Sequence, residues 1–189
     1  MPERGSDLRV LIGRCLSGDQ TAMRALVERF QGRVFGLCYR MLGQRQDAED
    51  AAQESFVRVL KNLHRWDQAR AFEPWLLAIA GNRCRTALAI RRRRPMAEAG
   101  VEQVADDAPD QRPAVHLAEE VRLALAQVRD EYGQAFVLFH EQELSYAEIA
   151  QAMDVPLGTV KTWVHRARKE LIELYGREAV PRVRELMKE

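Results

Sequence analysis

Apolar side chains recur every three or four residues along most of the chain, and no segment alternates apolar and polar residues as a β-strand does. This period predicts an all-α protein. In the second helix, for example, Asp19 is placed to cap the first turn and Gly43 to end the last one. The pattern predicts helices at about residues 8–16, 20–42, 46–63, 75–93, 115–128 and 130–142, followed by a helical pair over 145–171.

Residues 95–114 interrupt this pattern with three prolines, five acids and almost no large apolar side chain. Such a composition cannot bury enough surface to offset the entropy of ordering the chain. We therefore expect a flexible acidic linker between two small helical domains, residues 1–94 and residues 115–189.

The segment 145–171 has the local signals of two helices joined by a tight turn. Ser145 and Glu148 have the spacing of a capping box. Pro156 disfavours a helical conformation in the residue before it and suits the first turn of a new helix. From about Leu157 the apolar positions form one stripe that should face inward: Val160, Val164, Ala167, Leu171 and Leu174. This combination predicts a helix-turn-helix.

Two outward rows on the second helix are cationic or hydroxylic, and such side chains can reach phosphates and base edges in a major groove. The alternative is an ordinary helical hairpin with a solvated basic face. The capping box, the proline and the inward stripe together favour DNA binding. The two rows are Lys161, His165 and Arg168, and Thr162, Arg166 and Lys169.

Composition narrows the class of protein. The longest apolar runs fall well short of the roughly 20 residues that cross a bilayer, and the start of the chain lacks the apolar core of a signal peptide. We therefore expect a cytoplasmic protein without membrane insertion. Cys15, Cys38 and Cys84 are widely spaced and set among apolar residues, which predicts buried free thiols rather than a metal or redox site.

The net charge of +1 hides an uneven distribution. Lys and Arg outnumber Asp and Glu by 18 to 10 in residues 1–94, whereas the ratio is one to five in 95–114 and 10 to 13 in 115–189. A basic N-terminal half and a basic outer helix suit a polyanionic partner.

Aromatic and cationic residues meet in the loop before the fourth helix and along that helix. Trp66 could stack on an unpaired base, and the amide of Asn82 can both donate to and accept from a base edge. Arg83 and Arg85 would hold the backbone of a single strand. The alternative is that Trp66, like Phe72 and Trp75, anchors the loop to the core.

These motifs resemble those of the extracytoplasmic-function sigma factors, the small two-domain transcription initiation factors of bacteria. The resemblance covers nearly the whole chain. It rests on DAEDAAQESFVRVLKNL, on an F-x-x-W-L-x-x-I-A-x-N signature that begins at Phe72 and ends at Asn82, and on LSYAEIAQAMDVPLGTVKTWVHRARKEL. Thr86 departs from the Asp of many relatives, and Trp163 stands where a basic or small residue is common.

The resemblance implies a non-enzymatic factor, without metal or cofactor, whose partners are core RNA polymerase, promoter DNA and an anti-sigma factor. The first domain would melt and read the minus-ten element, and the second would read the minus-thirty-five element as duplex. The implied polymerase contacts are Asp47, Asp50, Gln53, Glu54 and Arg58. The implied DNA contacts are Trp66, Gln68, Ala69, Arg70, Asn82, Arg83, Arg85, Thr159, Lys161, Thr162, His165, Arg166, Arg168 and Lys169.

Three other functions compete with this interpretation. A helix-turn-helix repressor or activator would explain 145–171 but not the aromatic loop or the helix 46–63. A nucleic-acid enzyme would need clustered carboxylates or a P-loop, and the four histidines are scattered. A protein-interaction module is compatible with anti-sigma binding but would not be the whole function.

Overall fold

The computed structural model describes residues 3–93, 125 and 127–175, and the elements in these ranges are helices, as predicted. The predicted linker 95–114, nearly all of the helix 115–128 and the tail after residue 175 lie outside them. The elements are α1 (Glu3–Leu16), α2 (Gln20–Leu42), α3 (Arg45–Asn62), a 3₁₀ turn (Leu63–Arg65), α4 (Phe72–Arg93), α5 (Asp130–His140), α6 (Tyr146–Met153) and α7 (Leu157–Tyr175).

The two ends of α2 have the predicted caps. Asp19 Oδ1 accepts hydrogen bonds from the backbone N–H groups of Thr21 and Ala22, at 2.9 and 3.1 Å. These bonds, with the Arg14 guanidinium on the other oxygen at 2.7 Å, lower the pKa of Asp19. Gly43 ends the helix with φ 79°, a left-handed conformation that favours glycine, and its N–H donates to the carbonyl of Tyr39.

Helices α1 to α4 pack around one apolar core, in which Val34, Leu37 and Leu76 are fully buried. Two helix starts differ from the sequence prediction by three residues or more. Helix α1 begins at Glu3 rather than residue 8, and α4 begins at Phe72 rather than residue 75. Pro74 is accommodated in α4 because the N–H groups of a first turn have no intrahelical partner.

Helix α5 is buried from Tyr132 to Leu138 because it has neighbours on two sides. One side packs on α7 within the C-terminal domain, and the other packs on α2 and α4 of the N-terminal domain. The two domains therefore contact each other directly, and α5 lies at their boundary.

Candidate nucleic-acid interface

The turn between α6 and α7 begins from a completed capping box. Ser145 Oγ accepts from the N–H of Glu148 at 3.2 Å, and a Glu148 carboxylate oxygen accepts from the N–H of Ser145 at 2.9 Å. Asp154 then reverses the chain in a left-handed conformation with φ 55°, and its N–H donates to Ala150. The carbonyl of Pro156 accepts from Thr159 at 2.9 Å, so α7 restarts immediately. The predicted helix-turn-helix is present.

Helix α7 presents the predicted faces, with one exception. Val160, Val164, Ala167 and Leu171 are buried, but Leu174 is 45% exposed. The prediction that Leu174 faces inward is therefore wrong: α7 extends past the part of the core that covers the other four residues. Thr159 is half-buried at the start of the helix. The outward rows are exposed as expected, namely Lys161, Thr162, His165, Arg166, Arg168 and Lys169.

Contacts with α5 hold two cations of α7. Arg166 Nη1 donates to the hydroxyl of Tyr132 at 2.9 Å, and its guanidinium lies 5.8 Å from the ring centroid. This hydrogen bond lowers the pKa of Tyr132. Arg168 Nη2 lies 3.3 Å from Nε2 of His140, and burial together with the charge of Arg168 lowers the pKa of His140 to about 4. Both cations are thus oriented by α5 of their own domain.

Two other outward side chains of α7 make contacts within the helix. The Thr162 hydroxyl donates to the carbonyl of Gly158 at 2.8 Å, and Lys169 pairs with Glu173 at 3.6 Å. Trp163 is half-buried and lies 6.5 Å from the ring of Tyr132, so it packs against α5.

The loop before α4 is anchored by aromatic side chains. Trp66 is 8% exposed and packs edge-on against Phe72 at 5.4 Å, and Phe72 also contacts Phe30 and Trp75. The Trp66 indole N–H is buried without a hydrogen-bond partner. In this conformation the ring anchors the loop, as in the alternative interpretation, and is not open to a base.

The rest of the loop, residues 67–71, is exposed. Asp67 shapes it by accepting from the N–H of Ala69 at 2.9 Å and by pairing with Arg70 at 3.2 Å. The carbonyl of Gln68 accepts from Arg9 of α1 at 3.3 Å. The loop therefore offers polar backbone and side-chain groups beside the buried aromatic cluster.

The three predicted strand-binding residues of α4 do not share one face. Asn82 is exposed, and Arg85 lies 3.5 Å from its side-chain oxygen. Arg83, one position on, turns away from this side and pairs with Glu54 of α3. The structure thus brings Asn82 and Arg85 together and separates Arg83 from them.

The predicted polymerase face on α3 has an apolar centre that the sequence analysis missed. Asp50, Gln53 and Arg58 are exposed and Glu54 is half-buried, while Val57 is 44% exposed among them. Val57 lies four residues from Gln53 and three from Glu54, so the same helical spacing could have identified it. Asp47 is half-buried and lies 3.8 Å from Arg91 of α4.

No group of His, Cys, Asp or Glu within residues 3–93 and 127–175 is arranged to hold a metal ion. Cys15, Cys38 and Cys84 are buried free thiols, as predicted. Contact with the Cys38 thiol and burial raise the pKa of Cys84, which keeps it protonated. Among the helices of the described ranges, none has the length and apolar character needed to cross a bilayer.

Comparison with known proteins gives one consistent result. The family models for Sigma-70 region 2 and Sigma-70 region 4 match residues 26–94 and 118–171. The sigma factor SigW of Bacillus subtilis, described as an ECF RNA polymerase sigma factor, is 35% identical over 168 residues, covering 82% of this chain and 89% of the relative. The ECF RNA polymerase sigma-E factor of Haemophilus influenzae is 32% identical over 188 residues, covering 92% and 96%.

Solved structures agree on the fold. The structure of CnrH in complex with the cytosolic domain of CnrY superimposes with a TM-score of 0.65 at 26% identity, covering 88% of this chain and 96% of CnrH. RpoE from Bartonella quintana, co-crystallised with the anti-sigma factor NepR, gives a TM-score of 0.61 at 17% identity, covering 82% and 96%.

Proposed function

From the premise that this chain belongs to the extracytoplasmic-function sigma factors of bacterial RNA polymerase, we propose a division of its surfaces among promoter and polymerase contacts. The chain is a promoter-specificity factor and not an enzyme. The observation that supports the division best is the exposed cationic face of α7 in a completed helix-turn-helix. The domains proposed are residues 1–94 and 115–189, joined by 95–114, and the site of action is the cytoplasm.

The minus-thirty-five element is read by α7. Lys161 and His165 lie one turn apart on its outer side and Arg166 follows His165 directly, a spacing that lets the three enter one major groove. Lys161 provides charge at the phosphates, while Arg166 can approach base edges in the orientation that Tyr132 supports. The contacts that complete this surface are Thr159, Thr162, Arg168 and Lys169.

The minus-ten element is read by Asn82 and the exposed loop residues Gln68, Ala69 and Arg70. The amide of Asn82 can donate and accept, so it can distinguish base edges, whereas Arg85 beside it attracts phosphate. Trp66 acts beneath this surface by fixing the loop on Phe72. Arg83 supports α4 through Glu54 and reaches the strand only if that ion pair opens.

Core RNA polymerase binds α3. Interfaces between proteins combine a desolvated apolar centre with a polar rim, and Val57 surrounded by Asp50, Gln53 and Arg58 has this arrangement. Asp47 and Glu54 extend the rim. We also expect an anti-sigma partner, because members of this family are held by such proteins.

Binding assays with matched variants test this division. Lys161→Ala and Arg166→Ala should weaken binding to a minus-thirty-five duplex while capture by core polymerase stays unchanged. Val57→Asp should do the opposite, because it places a charge at the apolar centre of the α3 face. Arg24→Ala is the control, since it removes one exposed cation from α2, a helix that belongs to neither proposed surface. Loss of duplex binding in the Arg24 variant, or of both activities in every variant, would contradict the assignment.

A further inference from the structure

Beside the exposed Asn82, the side of α4 that bears Arg85 and Arg92 packs on α5 of the other domain. We propose that this surface of α4 and helix α5 are a docking pair within one chain, and that the promoter single strand competes with α5 for it. The proposal rests on the assignment of Asn82 and Arg85 to the minus-ten strand. The contacts of Arg85 and Arg92 with α5 are observed independently of that assignment.

The first turn of α5 supplies carboxylates to the cations of α4. Asp130 binds Arg92 through both oxygens, at 2.6 and 2.9 Å. Glu131 lies 3.7 Å from Arg85, the residue proposed to attract phosphate. Carboxylate and phosphate oxygens satisfy a guanidinium group in the same way. The acidic end of α5 therefore occupies positions that a nucleic-acid backbone would use.

A glycine permits the close approach of the two helices. Gly81 is buried, and a Cβ built on it would lie 2.3 Å from Nε2 and 2.6 Å from Cδ of Gln134. Gln134 is 0% exposed, so its side chain has little space into which it could move. Its oxygen lies 3.4 Å from Arg85 Nη1. A side chain larger than glycine at position 81 would push α5 away from α4.

The C-terminal end of α5 and the loop before α4 add further contacts between the domains. Arg33 of α2 donates to the side-chain and main-chain oxygens of Gln142, at 3.2 and 2.7 Å. Arg40 pairs with Glu141 at 2.9 Å. Arg70, in the loop, lies 3.5 Å from the carbonyl of Gln151 in α6. Contacts at both ends of α5 thus fix its orientation across α4.

The polar contacts of this interface suit a reversible closure, while Gly133 and Val137 of α5 lie beside Met41 and Leu88 and favour the closed form. Its ion pairs are partly exposed, and such pairs contribute little net stability and weaken with salt. The amide nitrogen of Gln134 is buried without a hydrogen-bond partner, which disfavours the closed form. The outer face of α7 remains exposed in the same arrangement. Closure should therefore restrict binding of the single strand and leave binding of the minus-thirty-five duplex unaffected.

Two substitutions, one in each domain, test the proposal in the full chain. Gly81→Ala should separate the helices, and Gly32→Ala is its control, because a Cβ at Gly32 of α2 would meet nothing within 4 Å. Asp130→Asn removes the pair with Arg92. Its control, Glu143→Gln, removes one negative charge from an exposed position just after α5.

The measurements are hydrogen exchange over α5 and the affinity for a fluorescent single-stranded oligonucleotide with a minus-ten sequence, without polymerase. We expect faster exchange in α5 and roughly tenfold tighter strand binding for Gly81→Ala and Asp130→Asn, since the apparent affinity scales with the binding-competent fraction. Both controls should behave as the unmodified chain, and duplex binding should not change.

Unchanged exchange in both variants would overturn the docking. Faster exchange with unchanged strand affinity would overturn the competition. If neither the unmodified chain nor any variant binds the strand while exchange responds as expected, the docking stands, but the competition and the strand assignment of Asn82 and Arg85 fail together. If the controls show the same increase in exchange and strand affinity as the variants, the increase comes from the change in charge or helix propensity. That result would also overturn the proposal.

Discussion

Acidification should destabilise the C-terminal domain through one histidine. His140 packs against the rings of Phe136 and Phe139, at centroid distances of 4.5 and 4.8 Å, and lies 3.3 Å from the guanidinium of Arg168. Burial, and then the charge of Arg168, lower its pKa from 6.5 to about 4. The folded domain therefore favours the neutral imidazole, which can accept from Arg168.

The sign and size of the effect follow from the two pKa values. The imidazole of His140 takes up a proton near pH 6.5 in the unfolded chain and only near pH 4 in the folded domain. The neutral imidazole therefore makes its full contribution to the free energy of unfolding above pH 6.5. This contribution is lost as the pH falls from 6.5 to about 4. One pKa unit corresponds to about 1.4 kcal/mol, so the difference between the two pKa values sets an upper limit of about 3.5 kcal/mol. Because the ring is only half-buried, screening by solvent reduces the expected loss to about 2 kcal/mol.

The assay compares the unmodified chain with His140→Gln, whose amide can accept from Arg168 but does not titrate. Urea unfolding is followed through amide signals of α5 at pH 7 and pH 4.5. Other acidic groups titrate in both proteins, so their contributions cancel in the difference. The unmodified chain should lose about 2 kcal/mol more than the variant on acidification. Equal losses, or an NMR titration of His140 with a midpoint near 6.5, would refute the reasoning.

Two further predictions concern stability. Ser145→Ala should lower the free energy of unfolding of the helix-turn-helix by about 1 kcal/mol, because Oγ no longer accepts from the N–H of Glu148. Ser145→Gly should lower it by only a few tenths of a kcal/mol. Equal losses for the two variants in thermal unfolding would contradict this capping role. Burial raises the pKa of Glu141 despite the nearby Arg40, so Glu141→Gln should be neutral or stabilising. Arg40→Gln leaves that carboxylate unpaired and should cost at least about 1 kcal/mol in the same measurement, and the reverse order would contradict the account.

The helix-turn-helix could be predicted from the sequence because its signals are local. Ser145 and Glu148 are three residues apart, Pro156 marks the turn, and the inward stripe of α7 repeats at helical spacing. Each signal acts within one or two turns of helix, where the sequence alone determines which groups meet. Asp19 and Gly43 were predictable as caps of α2 for the same reason.

The surroundings of the loop and of α4 could not be predicted in this way. The sequence places Trp66 in a basic, aromatic loop, but the packing of its ring on Phe72 depends on the tertiary fold. Arg83 follows Asn82 directly, and one residue of helix rotates the side chain by about 100°, towards Glu54 of α3. The approach of Gln134 to Gly81 joins two domains and has no signature in either local sequence.

The most direct test of the account is the set of transcript starts that this chain gives core RNA polymerase. Purified core enzyme, with and without the chain, is supplied with fragments of bacterial genomic DNA, and the 5′ ends of the transcripts are sequenced. We predict discrete starts that require the chain and share two upstream elements, with the upstream element losing influence in Arg166→Ala. Starts at random positions, or the same starts without the chain, would contradict its assignment as a promoter-specificity factor.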